Sequence, residues 1–510
     1  MLTTVNSAAV LGLEAQMVRV EVDTMFGLPR HTIVGLPDAA VKESKERIES
    51  AIKNSRIPVD LFCKFTINLA PAHLRKEGPA FDLPIAIGML ANAGLFPAAV
   101  LRDKLFLGEL SLNGDIKPVR GVLAIAIEAC RRGIRELLLA PQNAEEAAVL
   151  RDLKVIPLRD LAEALAYLSG KAELSPYQPE QTAAEQAFSG DFAEVKGQPL
   201  AKRALEIAAA GGHNVLLAGS PGCGKTMLIR RLPSILPELT YEESIEVSRI
   251  YSVAGLLRRG LVRCRQFRAP HHTISAAGIA GGGHNPRPGE ISLAHLGVLF
   301  MDEFPEFDRQ VLEVLRQPME DGEITISRAL TAVTYPARFI LAAALNPCPC
   351  GYALDASKKC SCSPPQIANY WRKLSGPVLD RIDIFVEVPS LSAGELAAKS
   401  GGETSAQVRQ RVTAARARQL SRFAGRSGLY TNAQLCPSDL RSLAGIDAAA
   451  RRLLAAAAEK LGLSARAYDR VLKVARTIAD LGGMDKVRDE HIAEALQYKQ
   501  NSFLPGVPHA

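Results

Sequence analysis

The chain has 510 residues, 47% of them hydrophobic and 23% charged, with a net charge of +7. That length exceeds one core, so two or three domains are expected, and the balance of apolar and charged residues excludes a disordered or fibrous chain. The mild positive charge permits a nucleic-acid partner without requiring one. No stretch reaches the ~18 uncharged apolar residues of a membrane span. The opening Met1-Leu-Thr-Thr-Val-Asn6 lacks a basic n-region, so no secretory leader is expected. Nine cysteines in a long chain without such a leader point to a reducing, cytoplasmic compartment.

The first third alternates short strand-like and helix-like runs. Gln16 to Val22 alternates polar and apolar residues at period two and reads as a strand, with Arg30 to Val34 as its partner. Asp38 sits at a helix N-cap position ahead of Val41, Ile48 and Ile52 on one face. Lys64 to Leu69 returns as a strand. Leu83 to Ala93 reads as a buried helix stopped by Gly94. Leu105 to Ile116 reads as a hairpin turning at Asn113-Gly114. Val122 to Arg131 is a further helix and Glu136 to Ala140 a further strand. The expectation is an α+β or split α/β domain over 1–171, followed by a linker at 172–193 that is rich in polar residues and carries Ser175-Pro-Tyr-Gln-Pro.

Past the linker, Pro199 suits the first turn of a helix running through Ile207. The apolar run Val215 to Ala218 then enters Gly219-Ser220-Pro221-Gly222-Cys223-Gly224-Lys225-Thr226, which fits G-x-x-x-x-G-K-[ST] at every fixed position. Glycines let backbone N–H groups wrap a phosphate, and the following helix turns its positive end to the anion. Lys225 is expected to reach the β- and γ-phosphates of ATP, and Thr226 to place its hydroxyl on Mg²⁺. A second motif, Gly297-Val-Leu-Phe-Met-Asp302-Glu303, is a buried strand ending in two carboxylates. Asp302 is expected to hold Mg²⁺, and Glu303 to polarise the attacking water as general base. Such a pair alone could be two solvated acids; its position downstream of a good phosphate loop gives it weight. Phe339 to Leu345 is another strand, ending at Asn346, whose amide could orient the water or touch the γ-phosphate. Ser375 to Asp383 presents Arg381 after a turn, suited to transition-state charge on a neighbour's nucleotide, with Arg372 as a rival. Arg466 opens a helix running to Leu481. Helices at 407–423, 448–461 and 489–496 complete a helical lid, and Arg411, Arg418 and Arg422 form a charge row expected to face solvent or a neighbouring subunit. Residues 501–510 read as a loose tail.

Two segments could meet DNA. Ser275 to Gly289 is rich in glycine, at 278 and 281–283, and ends in Asn-Pro-Arg-Pro-Gly289, with Arg287 as its one cation. Gly322 to Tyr335 reads as two alternating strands turning at Ser327-Arg328-Ala329. Exposed cations on such loops would follow a phosphate backbone without reading sequence. Cys348-Pro-Cys350 and Cys360-Ser-Cys362 make two close pairs that could close a structural Zn²⁺ site or remain free thiols. The adjacent His271 and His272 suit a metal poorly and read as loop-positioning residues.

The front domain's order of elements resembles the Lon-protease-like domain, of ribosomal S5 domain 2 type. Glu77-Gly-Pro-Ala-Phe81 is similar to the loop carrying the Lon nucleophile and Pro118-Val-Arg-Gly-Val-Leu123 to the segment carrying its lysine, but Ala80 and Leu123 fall where serine and lysine would stand. Ser–Lys catalysis needs both groups, so a scaffold or interaction module is expected, its protein partner unknown. The later order of phosphate loop, Asp-Glu, Asn346, Arg381 and Arg466 resembles an AAA+ ATPase: a P-loop αβα core over 194–390 and a helical lid over 391–500. Phe267-Arg-Ala-Pro-His-His-Thr273, Gly289 to Phe304, Asn346-Pro-Cys-Pro-Cys-Gly351, Ser375 to Asp383 and Ser464-Ala-Arg-Ala-Tyr-Asp-Arg470 are similar to the magnesium-chelatase-like ComM/YifB family over essentially the whole chain. The resemblance implies Asn346 as first sensor, Arg381 as arginine finger and Arg466 as second sensor. It further implies a homohexameric ring with ATP between subunits, and an ATP-driven DNA motor for branch migration in recombination during natural transformation. The two glycine-rich and hairpin segments resemble the helix-2 insertion and pre-sensor hairpin of MCM helicases. A chelatase-type remodeller of a protein or metallocofactor partner is the alternative.

Overall fold

The computed structural model describes residues 2–25, 30–59, 63–76, 78–179, 190–258, 260–283, 286–327, 332–355, 358–392, 394–395, 402–426 and 428–499. The chain forms two compact units: Met1–Ala183 together with Tyr241–Val262, and Ala184–Thr240 together with Arg263–Ala510.

The first unit is built on a seven-stranded mixed sheet in the order Arg30–Val34, Lys64–Ala70, Glu14–Met25, Thr3–Leu11, Lys104–Phe106, Glu136–Leu139, Lys154–Pro157. Glu14–Met25 is antiparallel to both its neighbours, and its alternation buries Val18, Val20 and Val22 on one face. Helix Asp82–Asn92 lies close on that face, because Gly88 has no side chain: a Cβ there would sit 2.6 Å from Val22. Asp82 is buried, and Arg47 at 2.8 Å and the Ser44 hydroxyl supply the partners a buried carboxylate needs. Strand Thr3–Leu11 had no reading in the sequence, since Ser7, Ala8 and Ala9 carry weak strand preference; its pairing on both edges makes it a strand. Leu105 and Phe106 belong to the main sheet, so the expected hairpin shrinks to Glu109–Leu110 and Ile116–Lys117, still turning at Gly114 with φ +91°. The N–H of Tyr177 donates to Val155 O, so part of the segment read as linker packs on this sheet.

Helix Tyr241–Ala254, which follows the phosphate loop in sequence, belongs to this first unit. Ser252 O accepts from the Gly121 N–H, and Arg249 donates to Leu13 O.

The second unit carries an all-parallel five-stranded sheet in the order Phe267–Arg268, Val298–Met301, Ile340–Leu345, Val215–Ala218, Ile384–Glu387. Both faces are covered, so its central strands read as continuous apolar runs rather than alternating ones. Helices Ser405–Arg422, Ala448–Leu461, Ala465–Leu481 and Asp489–Gln497 form the C-terminal part. Their Val412, Leu454, Val474 and Ile478 share one apolar cluster with Ala208, Val215 and Ile384 of the sheet layers. The expected charge row is split. Arg422 turns inward to the fully buried Asp480, Arg411 bridges the buried Glu206 and the exposed Glu403, and Arg418 stays half exposed as expected.

Candidate active site

Parallel strands deliver their C-terminal ends to one edge of the sheet, the edge where ligands bind in such folds. Ala218, Met301 and Leu345 all end there, in register Ala218 with Leu345 and Met301 with Ala343. The residues that follow them are the phosphate loop, Asp302-Glu303 and Asn346. Gly222 and Gly224 hold φ of +81° and +97°, a region that favours glycine. Gly219 is required by space, since a Cβ would lie 2.3 Å from Val388 O.

The Lys225 ammonium is buried and donates to Gly219 O at 2.6 Å, Ser220 O at 3.0 Å and Asn346 Oδ1 at 3.2 Å. Burial lowers its pKa, opposed by Cys223 and Asp302. The Thr226 hydroxyl donates to Asp302 Oδ2 at 2.8 Å. A hydroxyl and a carboxylate in contact, both hard oxygen donors, fit Mg²⁺, which takes one or two protein oxygens and otherwise water or phosphate. Glu303 sits at φ +52°, an uncommon conformation for a residue with a side chain, and its N–H donates to Asp302 Oδ1. Its carboxylate faces His272, with Nδ1 3.4 Å from Oε2. His272 is held in turn by the ring of His271 at 4.1 Å and the edge of Phe307. These histidines read from the sequence as loop-positioning residues, and the Glu303 contact is what His272 meets there.

Arg381 and Arg466 stand apart from this cluster and gather at one acid. Arg381 donates to Glu320 and to Pro377 O, and Arg466, largely exposed, lies 4.0 Å from the same carboxylate. Among the described residues neither makes an ion pair or hydrogen bond with the phosphate loop. Arg372 is exposed and donates to Asn369. Glu320 had no signal in the sequence beyond being one acid in a charged helix.

The segment from 275 to 289 is more structured than a glycine-rich loop: helix Ala276–Ala280 leads into a hairpin pairing Gly281 with Pro288 and Gly282 with Arg287, which is exposed. The second segment forms the expected hairpin, Glu323–Ser327 with Ala332–Pro336, while its tip with Arg328 lies outside the described residues.

The four clustered cysteines come together. Their Sγ atoms all lie within 4.8 Å of one another, at 3.3 Å for 348–350, 3.5 Å for 350–360 and 3.7 Å for 348–360. Disulfide sulfurs would be about 2.05 Å apart. Four thiolates around one zinc, each at ~2.3 Å, are about 3.8 Å apart. The spacing and the all-sulfur donor set fit a tetrahedral metal. Amides of Tyr352 and Ser361 favour the Cys350 thiolate and draw its pKa down to about 5.

A parallel sheet with a phosphate loop, Mg²⁺-type oxygens, a second carboxylate and an asparagine at one edge, followed by a helical lid, defines an ATPase of the AAA+ class. Family models agree: "Magnesium chelatase, subunit ChlI" matches residues 191–396, "Subunit ChlI of Mg-chelatase" residues 20–143, and "Magnesium chelatase, subunit ChlI C-terminal" residues 402–499. The chain is 45% identical to the competence protein ComM of Haemophilus influenzae over 98% of its own length and 97% of that protein's. It is 43% identical to the uncharacterized protein YifB of Escherichia coli over the same shares. Its similarity to Lon protease 3 of Sorangium cellulosum is 25% identity over 31% of this chain and 19% of that protein. The chain belongs to the ComM/YifB family of magnesium-chelatase-like AAA+ ATPases. Among the described residues no helix is long and apolar enough to cross a membrane.

Proposed function

We propose that this protein is a Mg-ATP-driven DNA motor that works in the cytoplasm as a ring of six identical chains and promotes branch migration during recombination of incoming DNA. The observation that carries the ring is the separation of the site into two groups. Lys225, Thr226, Asp302 and Asn346 are bonded to one another, whereas Arg381 and Arg466 converge on Glu320. A chain with two incomplete halves is completed by a second copy, and a closed ring uses every half once. The DNA part rests on the likeness to a competence protein and on exposed Arg287, with Arg328 assigned the same task.

Mg-ATP, when bound, supplies the phosphoryl group whose transfer to water drives the motor. The loop N–H groups between Gly219 and Gly224, Pro221 excepted, and the Lys225 ammonium would balance phosphate charge, and Thr226 and Asp302 would hold the cation. Asn346, already bonded to Lys225, aligns the water, and Glu303 takes its proton on a carboxylate oxygen. Arg381, with Arg466 beside it, offsets developing charge on the neighbour's nucleotide. On this reading turnover is conditional on assembly. The match to magnesium-chelatase subunits keeps a second reading, a remodeller of a protein or metallocofactor partner.

ATP turnover measured alone, with single-stranded DNA and with a four-way junction separates them. Stimulation by DNA, junction resolution into duplexes, and loss of both in Glu303→Gln are expected. Lys225→Ala is expected to lower turnover by about a hundredfold or more. Turnover indifferent to DNA would overturn the motor and favour the remodeller; turnover intact in Lys225→Ala would overturn the site.

A further inference from the structure

The four-cysteine cluster sits on a segment whose two ends and tip all return to the nucleotide site. Its first thiol, Cys348, is fully buried and lies two residues after Asn346, whose Oδ1 accepts from Lys225. Its last thiol, Cys362, immediately precedes Ser363, the N-cap of helix Pro364–Trp371. The indole N–H of Trp371, at the far end of that helix, donates back to Pro347 O at 3.1 Å. The segment is therefore a closed loop: strand end, cluster, helix, and return to the strand end. Inside it, Gly351 lies flat on the phosphate loop. It holds φ +85°, and a Cβ there would be 2.5 Å from Pro221 Cδ and 2.6 Å from its Cγ.

We propose that a zinc ion bound by Cys348, Cys350, Cys360 and Cys362 braces the ATP site, fixing Asn346 from one side and the Pro221 turn of the phosphate loop from the other. Between 346 and 362 the described residues form turns rather than helix or strand, with the Gly351 N–H donating to Cys348 O and the Asp355 N–H to Tyr352 O, and a metal on all four thiols ties these turns together. A loop held by turns and a few hydrogen bonds keeps conformational freedom; four metal–sulfur bonds remove it and set Gly351 and Asn346 at fixed distances from the phosphates. The metal takes no part in the chemistry. Its cysteines are positioning residues acting through Asn346 and Pro221. This inference rests on the reading of Lys225 and Asn346 as nucleotide-site residues, and Lys225→Ala tests that reading separately.

The experiment uses the full-length protein and three readouts: zinc per chain by elemental analysis, affinity for a fluorescent ATP analogue, and ATP turnover, with a circular-dichroism melt for folding. Wild type is expected to carry one zinc per chain. Cys360→Ser, a ligand change at the partly exposed side of the cluster, is expected to lose it and to weaken analogue binding by about tenfold or more. Gly351→Ala keeps all four ligands; it is expected to retain zinc and to show the same weakened binding, because the new methyl group pushes on Pro221. Cys130→Ser, a thiol of the other unit, is expected to change none of these. Absence of zinc from the wild-type protein, or wild-type affinity and turnover in a folded zinc-free Cys360→Ser chain, would overturn the proposal. Wild-type analogue affinity in Gly351→Ala would overturn it equally.

Discussion

The Glu303 carboxylate, the proposed general base, is placed by a strained backbone and one side-chain contact. Its backbone holds a left-handed φ of +52°, and His272 Nδ1 meets its carboxylate at 3.4 Å. A base that must accept a proton from water at one point in space gains from such a guide, since small misplacements cost heavily in rate. His272→Ala is therefore expected to lower kcat by about tenfold with KM for ATP little changed, and His272→Gln, which can still donate a hydrogen bond, to recover part of the loss. A parallel rise in KM, or no change in kcat, would reject the positioning role. Lys225, Thr226, Asp302 and Asn346 were legible in the sequence because each follows an apolar run at a strand end, and parallel pairing brings such ends together. His272 and Glu320 were not, because a histidine pair in an irregular segment and one acid in a short helix carry no pattern that names their partners.

The two segments proposed to meet DNA are bonded to each other. Tyr335, fully buried in the second hairpin, donates its hydroxyl to Pro286 O of the first at 2.8 Å, and burial pushes its pKa up to about 12. Gly281 of the first packs against Ile326 of the second, where a Cβ would be 2.8 Å from Cδ1. The sequence showed the alternation that makes the second hairpin but read the first as flexible; a run of glycines is equally the signature of backbone packed too closely for side chains, which is the case at Gly281 and Gly289. Because the hairpins are bonded, Arg287 and the Arg328 tip are expected to move together. Tyr335→Phe removes this part-buried hydrogen bond, at a cost of about 0.5–1.5 kcal/mol. It is expected to keep basal ATP turnover and to reduce DNA stimulation. Full DNA stimulation in that variant would show that the hairpins act independently.

At the scale of the whole molecule the chain crosses between units three times, after Ala183, Thr240 and Val262. The early part of the sequence was readable as one domain and the later part as another, but helix Tyr241–Ala254 follows the phosphate loop so directly that chain order assigns it to the ATPase. Its membership of the first unit is a long-range fact that periodicity cannot carry. Val247, Ile250 and Tyr251 on this helix are buried. Removing residues 1–183 takes away the rest of their unit and leaves an apolar face that promotes association. A chain beginning at Ala184 is therefore expected to aggregate on size-exclusion chromatography. The remedy follows from the ends of the insertion: Leu239 N and Arg263 O lie 3.5 Å apart, within the second unit. Replacing 241–262 by a linker of about three glycine and serine residues spans that gap. The doubly shortened chain is expected to be monodisperse and to bind the fluorescent ATP analogue, since every residue of the proposed phosphate and Mg²⁺ site lies in the second unit. Equal solubility of the two truncations would show that the helix needs no partner. Aggregation of both would show that the second unit depends on the first for more than this helix.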